Sequence, residues 1–299
     1  MSGLAVVAVT YSPGPALAAF LDSLPSATAE PVQVVLADNG STDGAPEAAA
    51  ERAEVRLLPT GGNLGYGRAA NLGVAATTGD WVLVSNPDVV FTPGALDELI
   101  KVAHRWPRAG AVGPLIRDEN GVIYPSARDL PSLGRGIGHA VLGTIWPGNP
   151  WTRSYRREQE PVERAAGWLS GSCLLLRREA FDSLGGFDPS YFMYFEDVDL
   201  GERLTRAGWL NVYAPSAAIV HTGSHATKRH KQAMFREHHR SAYRYLSRHY
   251  PGPAWLPLRA LLWLGLQARA RLAPPLIDLV QRRAAGTSKP DRQESNGER

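Results

Sequence analysis

The sequence of 299 residues contains a single cysteine, Cys173, and no apolar run of the length that crosses a bilayer. One cysteine excludes a disulfide framework and a cysteine-based metal cluster within the chain. A spanning helix needs about 20 consecutive apolar residues, so none is expected. The first residues, Met1 to Leu4, carry no basic group ahead of the apolar run, which disfavours a secretory signal. These absences predict a cytoplasmic protein.

The charge is unevenly distributed along the chain. The net charge is only +3, but residues 1–220 hold 17 basic and 24 acidic side chains, whereas residues 221–299 hold 15 and 5. Six of the eight histidines also lie between His221 and His249. This asymmetry predicts a catalytic or binding body followed by a segment that meets an anionic partner. Nucleic acid, a phosphorylated substrate and a membrane surface are all open as that partner.

Strand-like and helix-like segments alternate along the first 115 residues. Apolar, β-branched runs predict strands at 4–10, 32–37, 55–58, 81–84 and 111–115. Helices are predicted between them at 16–24, 45–52, 68–76 and 95–106. Buried strands separated by helices indicate βαβ units, so we expect an α/β fold with a parallel sheet covered on both faces. Ligands of such sheets bind beyond the carboxyl ends of the strands.

The rest of the chain is less regular. Its patterns predict a hairpin over 117–124, an irregular loop over 125–165, a helix over 196–207, a strand over 212–220 and a basic helix over 227–250. An apolar and basic stretch at 256–280 follows, which we expect to break at Pro274-Pro275.

Four of the predicted strands end in loops rich in Asp, Asn and Gly. These loops are Thr10-Tyr11-Ser12, Asp38 to Asp43, Gly61 to Asn71 and Ser85 to Asp88. Together they suit a nucleotide, because Asp38 can accept from a base or ribose hydroxyl, glycines let the backbone approach phosphate, and Arg68 supplies charge. Each loop alone is an ordinary turn or cap, and only their coincidence favours a site. The glycine spacing matches neither the dinucleotide fingerprint nor the P-loop.

Two sets of carboxylates are candidates for chemistry. Asp88 suits a hard cation such as Mg²⁺ or Mn²⁺, although it could instead cap the next helix. Glu196, Asp197 and Asp199 stand at the start of a predicted helix, where Glu196 and Asp199 share a face and Asp197 points elsewhere. Acids at this position can simply favour the helix dipole, or one of them can serve as a general base toward an acceptor hydroxyl. Residues 168–172 are candidates for an adjoining wall.

In these residues the chain resembles the inverting glycosyltransferases of the GT-A fold, glycosyltransferase family two. The resemblance runs from about Val6 to His221 and includes the four loops, Glu196-Asp197 and His221. It implies a Rossmann-like, nucleotide-binding mixed sheet flanked by helices over residues 1–225. The composition of the remaining chain predicts a basic, amphipathic helical region at 226–285 and a disordered tail at 286–299. It is strongest toward members that move L-rhamnose from dTDP-rhamnose onto polyprenyl-diphosphate-linked N-acetylglucosamine for cell-wall linkers.

The resemblance also implies roles for individual residues. The donor nucleoside and sugar would lie against Thr10, Tyr11, Asp38, Asn63, Gly65, Gly67, Arg68, Asn71, Asn86 and Asp88. Asp88 and His221 would hold a divalent cation, Mg²⁺ or Mn²⁺. Asp197 would be the catalytic base, with Glu196, Trp168 and Gly171 shaping the acceptor site. The family's usual Asp-x-Asp is here Asn86-Pro87-Asp88, which lacks one carboxylate.

The basic segment after His221 adds Trp and Leu flanked by Arg between residues 255 and 271. That composition suits the lipid headgroup boundary, so we expect a peripheral protein on the inner face of the cell membrane that binds an anionic surface. A solvated helix packed on the sheet and a homo-oligomer interface are alternatives for the same residues. A sugar-phosphate nucleotidyltransferase and a nucleic-acid binder are the competing functions. The first usually has a glycine-rich, basic loop after its first strand, which this chain lacks. The second leaves the polar loops unexplained, so we expect no nucleic-acid partner.

Overall fold

The computed structural model describes residues 3–131, 160–223 and 231–287, without the side chains of residues 231 and 272–287. The chain divides into two compact units, residues 1–230 and residues 231–299. Most of the predicted irregular loop and nearly all of the predicted tail lie outside the described residues.

The first unit alternates strands and helices through its first half. Its strands are β1 (Leu4–Thr10), β2 (Gln33–Asp38), β3 (Val55–Pro59), β4 (Trp81–Ser85), β5 (Val89–Phe91), β6 (Ala109–Arg117), β7 (Ile123–Tyr124), β8 (Ala127–Arg128), β9 (Arg164–Ala166), β10 (Trp168–Leu169), β11 (Cys173–Arg177) and β12 (Leu210–His221). Its helices are α1 (Ala16–Ala27), α2 (Ala45–Ala49), α3 (Tyr66–Ala75), α4 (Ala95–Arg105), α5 (Arg178–Ser183) and α6 (Glu196–Arg206).

The main sheet is mixed, with the strand order β3-β2-β1-β4-β11-β6-β12-β5. β1 to β4 are parallel to one another, which confirms the predicted βαβ units. β11 is antiparallel to β4 and β6, and β5 is antiparallel to β12. The sheet is therefore mixed, as the resemblance implied, and the apolar runs alone did not show this, because a strand buried on both faces has the same apolar sequence in either direction.

Apolar side chains cover both faces of the sheet. Alternate residues of one strand face opposite sides, so Val6 packs with α1 and α4 while Val7 packs with α3 and the segment around Phe187. Both valines have no solvent exposure. Double coverage explains the continuous apolar strands, and it leaves the polar ends of the strands as the place where a ligand can reach the backbone.

The second unit contains two helices, α7 (Lys231–Arg248) and α8 (Leu256–Thr287), with a 3₁₀ turn at Pro253–Trp255 before α8. The predicted basic helix is thus observed over its described residues. The predicted break at Pro274-Pro275 was wrong, because α8 continues through both prolines. A proline removes a backbone hydrogen bond and tends to kink a helix, but the turns on either side can still continue it. None of the helices described is both long and apolar enough to cross a membrane.

Candidate active site

Hydrogen bonds tie the first two polar loops together at the carboxyl edge of the parallel strands. The backbone N–H of Ser12 donates to Ser41 Oγ over 2.8 Å, and that of Gly14 donates to Asp43 Oδ2 over 2.7 Å. Tyr11, directly before Ser12 in the chain, is 46% exposed. The predicted convergence of these loops is confirmed, and it leaves an aromatic ring beside the polar surface.

Asp38 organises the second loop. Its carboxylate accepts hydrogen bonds from the hydroxyls of Thr10 and Ser41 and from the backbone N–H groups of Gly40 and Ser41. Burial raises the pKa of Asp38, but these hydrogen bonds outweigh burial and hold it below its ordinary value. A carboxylate has about four lone-pair positions, so a nucleoside that bound Asp38 would have to replace one of these donors.

Asn39 joins the second loop to the third, a role that sequence reasoning missed. Its Nδ2 donates to the carbonyl of Gly65 over 3.2 Å, and its Oδ1 accepts from Thr60 and from the N–H of Leu64. Gly65 has a φ of +87°, and a Cβ there would lie 2.2 Å from the carbonyl oxygen of Phe192. Only glycine fits at this position. The third loop can therefore pack against the segment around Phe192, which leads into α6.

Arg68 and Asn71 face the same segment. Arg68 Nε donates to the carbonyl of Pro189 over 2.7 Å. Asn71 exchanges two hydrogen bonds with the backbone of Phe187, at 2.8 and 2.9 Å. Gly67 also approaches Phe187, because a Cβ on it would lie 3.0 Å from that side chain. These contacts fasten α3 to residues 187–189, and a role for these residues in donor binding stays a prediction.

The β5–β12 pair brings Asp88 and His221 together. Val89 pairs with His221 in the sheet, and His221 Nε2 lies 3.1 Å from Asp88 Oδ1. Asn86 Nδ2 lies 3.4 Å from the same ring nitrogen. Asp88 is 3% exposed, and its Oδ2 is buried without a hydrogen-bond partner among the described residues. An unpartnered buried carboxylate oxygen is costly unless something else binds it.

This pair fits a divalent cation. No group of three or more His, Cys, Asp or Glu side chains in the described part of the chain forms a complete metal site. Magnesium-type sites commonly use one or two protein ligands and complete their shell with substrate phosphates and water. The orphaned oxygen of Asp88, with His221 beside it, therefore suits a cation shared with a diphosphate.

Asp197 lies at the start of α6, after an unusual backbone. Tyr194 and Phe195 both have a φ of +66°, which is rare for residues other than glycine and turns the chain sharply into the helix. Asp197 Oδ2 accepts from the N–H of Gly171 over 2.9 Å, and Oδ1 accepts from that of Val198 over 2.8 Å. Burial raises the pKa of Asp197, and these backbone donors counteract part of that rise. Strain next to an oriented carboxylate is typical of a catalytic position.

The other two acids of α6 have different surroundings. As predicted, Glu196 and Asp199 share the buried face of the helix. Asp199 forms an ion pair with Arg203 Nε at 2.7 Å, which stabilises the helix. Glu196 Oε2 is buried without a hydrogen-bond partner among the described residues. Burial, reinforced by the charge of Asp197, raises the pKa of Glu196 to about 8.

The raised pKa of Glu196 predicts a pH-dependent stability. An acid whose pKa is higher in the folded state favours folding at low pH, and this contribution is lost as pH rises from about 4.5 through about 8. We expect the Tm of Glu196→Gln to exceed that of the wild type at pH 8.5. This difference in Tm should be smaller by at least about 3 °C at pH 5. Thermal unfolding across this range measures it. The exposed control Glu119→Gln should give a gap that does not change with pH, and a constant gap for Glu196→Gln would contradict the assignment.

Tyr66 links the third polar loop to the α6 carboxylates, although the sequence assigned it no role of its own. Its hydroxyl donates to the carbonyl of Gly171 over 2.6 Å, while the N–H of Gly171 holds Asp197. Burial, followed by the nearby charge of Glu196, raises the pKa of Tyr66 well above its ordinary value, so it stays a donor. The first residue of α3 thus fixes the peptide that orients Asp197.

The loops, the Asp88–His221 pair and the Asp197 carboxylate together form the arrangement expected of a glycosyltransferase. The chain belongs to glycosyltransferase family 2, since residues 5–185 match the family described as "Glycosyl transferase family 2". Residues 150–244 also match "Glycosyltransferase like family 2".

Among curated proteins, the chain is similar to N-acetylglucosaminyl-diphospho-decaprenol L-rhamnosyltransferase of Mycobacterium tuberculosis (strain ATCC 25618 / H37Rv). The two are 56% identical over 282 residues, which cover 90% of this chain and 92% of the relative. Rhamnosyltransferase WbbL of Escherichia coli (strain K12) is 32% identical over 63% of this chain and 72% of its own length.

Two solved structures share the fold. Mannosyltransferase PcManGT from Pyrobaculum calidifontis, in complex with GDP-Man and Mn²⁺, has a TM-score of 0.56 and 20% identity, over 97% of this chain and 76% of its own. GalNAc-T7 with UDP, GalNAc and Mn²⁺ has a TM-score of 0.57 and 17% identity, over 75% of this chain and 44% of its own. The predicted GT-A architecture is confirmed by this likeness.

Proposed function

We propose that this glycosyltransferase moves L-rhamnose from dTDP-rhamnose onto N-acetylglucosaminyl-diphospho-polyprenol, in the synthesis of a cell-wall linker. The observation that carries the proposal is 56% identity, over 90% of the chain, to a relative named for that acceptor and that sugar. The assignment of dTDP as the donor nucleotide rests on the resemblance to rhamnosyl transferases.

The site contains the groups that an inverting transfer needs. Asp197 accepts the proton of the acceptor hydroxyl while that oxygen bonds to the anomeric carbon of the donor sugar. The bond between this carbon and the diphosphate oxygen breaks on the opposite face, and the nucleoside diphosphate departs. Asp88 and His221 would hold a divalent cation, whose contribution when bound is to offset the negative charge of the diphosphate. A raised pKa brings Asp197 closer to the working pH, where a base is most effective.

One base is sufficient for inversion, and the second carboxylate is unsuited to form a covalent intermediate. Burial, reinforced by the charge of Asp197, raises the pKa of Glu196 and so disfavours the charged form that a nucleophile needs. A protonated carboxyl is a poor nucleophile. The arrangement therefore supports a single displacement with inverted configuration at the anomeric carbon.

A donor panel with stereochemical readout tests this proposal. Purified enzyme with a short-chain polyprenyl-diphospho-N-acetylglucosamine should use dTDP-rhamnose and give product of inverted anomeric configuration by NMR. It should use UDP-glucose, UDP-galactose and GDP-mannose poorly. Thermal shift with dTDP and UDP, each with Mn²⁺, provides a control that requires no acceptor. A preference for UDP over dTDP would exclude the rhamnosyl assignment and leave the family unchanged.

We also propose that the second unit binds an anionic membrane that carries the acceptor. Five large apolar residues at or near the start of α8 are exposed: Trp255, Leu256, Leu261, Trp263 and Leu264. A groove of about 660 Å³ between α7 and α8 is lined by Arg236, Arg240, Arg244 and Trp263 among others. Apolar side chains flanked by arginine suit the boundary between headgroups and acyl chains.

The apolar surface of α8 gives a direct test of membrane binding. Leu261 and Leu264 are 67% and 58% exposed, so charged replacements there should fold normally. We expect Leu261→Glu/Leu264→Glu to lower flotation with vesicles of 30% anionic lipid by at least about fivefold. The variant loses two leucines that would insert into the lipid, and it adds negative charge that the anionic surface repels. Ala233→Glu, at an exposed position of α7, is the control for charge alone. Unchanged flotation with a change from dimer to monomer in light scattering would instead identify an oligomer interface.

A further inference from the structure

The guanidinium of Arg128 lies between two aromatic rings. Its central carbon is 5.3 Å from the centroid of Tyr124 and 5.7 Å from that of Trp168. β8 and β10 pair in an antiparallel ladder that sets Arg128 opposite Trp168. Arg128 Nε donates to the carbonyl of Pro125 over 2.8 Å. The stack and this bond fix the plane of the guanidinium, so its remaining N–H groups point in a defined direction.

No residue in the described part of the chain accepts a hydrogen bond from these remaining N–H groups. Within the described ranges, neither Nη1 nor Nη2 of Arg128 donates a hydrogen bond to another residue. Arg128 is half-buried, and Tyr124 beside it is 43% exposed. An oriented guanidinium with unused donors at an accessible surface is the arrangement that binds a phosphate or carboxylate in two-point fashion.

Arg128 also lies close to the catalytic base. Trp168, its ring partner, is three residues before Gly171, whose N–H holds Asp197. α6 packs directly on Trp168, since a Cβ on Gly201 would lie 2.7 Å from the Trp168 side chain. Electrostatic attraction from Arg128 contributes to lowering the pKa of Asp197 against the larger effect of burial. An acceptor hydroxyl placed at Asp197 therefore has a fixed positive charge in its neighbourhood.

A second stacked arginine shows what a purely structural role looks like in this fold. Arg177 lies 4.4 Å from the ring of Trp81 and 5.7 Å from that of Trp209. Its Nε and Nη2 both donate to backbone carbonyls, those of Ala109 and Pro107. It pairs with Trp81 at the start of β4, at the edge of the sheet opposite to the polar loops. Arg177 uses its terminal nitrogen to bind a loop carbonyl, whereas that of Arg128 binds none among residues 3–131, 160–223 and 231–287.

We propose that Arg128, held between Tyr124 and Trp168, binds a phosphate of the acceptor's diphosphate beside the hydroxyl that Asp197 deprotonates. This inference rests on the proposed function and specifies how the enzyme selects its acceptor. In a diphospho-linked N-acetylglucosamine, the attacking hydroxyl and the diphosphate are attached to one sugar ring, so groups that bind both must be neighbours. The donor's diphosphate is assigned elsewhere, to the cation at Asp88 and His221.

The test compares a charged acceptor with a neutral one. The probes are farnesyl-diphospho-N-acetylglucosamine and an alkyl N-acetylglucosaminide of similar chain length without phosphate. We expect Arg128→Gln to raise the acceptor KM for the diphosphate compound by about 10–100-fold, the loss of a charge-assisted hydrogen-bond pair. The KM for the neutral glycoside and the affinity for dTDP should each change by less than about twofold. Arg128→Lys should recover only part of the loss, because lysine keeps the charge without the fork.

Arg177→Gln is the matched control. It removes a stacked arginine of the same kind, so it should lower Tm while leaving the ratio of the two acceptor KM values unchanged. Equal loss with both acceptors in Arg128→Gln would make Arg128 a structural residue, and reduced dTDP affinity would assign it to the donor diphosphate. Either result overturns the proposal.

Direct binding separates this inference from the proposed function. Calorimetry with the farnesyl compound in the presence of dTDP needs no turnover. If the farnesyl compound binds in a way that depends on Arg128 but no donor supports rhamnosyl transfer, the proposed function is excluded and the acceptor site is supported. If the enzyme transfers rhamnose and Arg128→Gln has the wild-type KM for both acceptors, the proposed function holds and the phosphate site at Arg128 is excluded.

Discussion

Replacing Asp197 by asparagine is expected to lower kcat by about 10³-fold while dTDP affinity stays within a factor of two. The substitution keeps the shape of the side chain but removes its ability to accept a proton. Asp197 contacts the peptide of Gly171 and not the loops at the ends of β1 and β2, so the nucleotide region should be unaffected. Steady-state kinetics with dTDP-rhamnose, together with calorimetric binding of dTDP, measures the two quantities separately.

Asparagine also changes the local hydrogen bonds, which calls for a control. Both oxygens of Asp197 accept from backbone N–H groups, and asparagine has only one acceptor oxygen. Some loss of Tm is therefore expected. Asp199 lies two residues after Asp197, and Asp199→Asn weakens its ion pair with Arg203. This variant should produce a comparable loss of Tm with little change in kcat. Retention of more than about a tenth of wild-type turnover by Asp197→Asn would remove Asp197 from the role of base.

The second large effect is expected at Asp88. Asp88→Asn should lower kcat/KM on the order of 100- to 1000-fold, because the charge that would bind a cation at the donor diphosphate is lost. The wild type should show a larger thermal shift with dTDP and Mn²⁺ than with dTDP alone, and the variant should not. Its Tm without ligands should equal or exceed that of the wild type, since the substitution removes a buried charge with an unpartnered oxygen.

An exposed aspartate at the other end of β4 provides the control for Asp88. Asp80 precedes β4 at the opposite edge of the sheet, and Asp80→Asn should retain both activity and the response to Mn²⁺. Chelation should reproduce the defect of Asp88→Asn in the wild type. Full turnover of the wild type in excess EDTA, or equal Mn²⁺ activation of wild type and Asp88→Asn, would contradict the cation site.

Local sequence patterns were sufficient for the elements that build the donor side of the site. The runs that predicted strands at 4–10 and 81–84 correspond to β1 and β4 within one residue. Parallel strands joined by helices place their carboxyl ends at one edge, so the convergence of the polar loops followed from the order of elements. The buried face shared by Glu196 and Asp199 followed from helical periodicity, which needs no knowledge of distant residues.

Contacts between distant residues were beyond such patterns. His221 reaches Asp88 only because β12 runs antiparallel to β5, and β5 is three residues long, too short to stand out in the sequence. Gly65 resembles any turn glycine until the carbonyl of Phe192 is found against it. Tyr66 and Arg128 act through partners 105 and 40 residues away, Gly171 and Trp168.

The sequence by itself determined the alternation of strands and helices, the polar loops at the strand ends and the helical face of the α6 acids, because each depends on residues close together in the chain. Only the tertiary structure decided the direction of β11 and β5, the pairing of Asp88 with His221 and the peptide that orients Asp197. A buried strand has the same apolar pattern in either direction. The residues next to a polar side chain in the sequence do not show which distant backbone group it will contact.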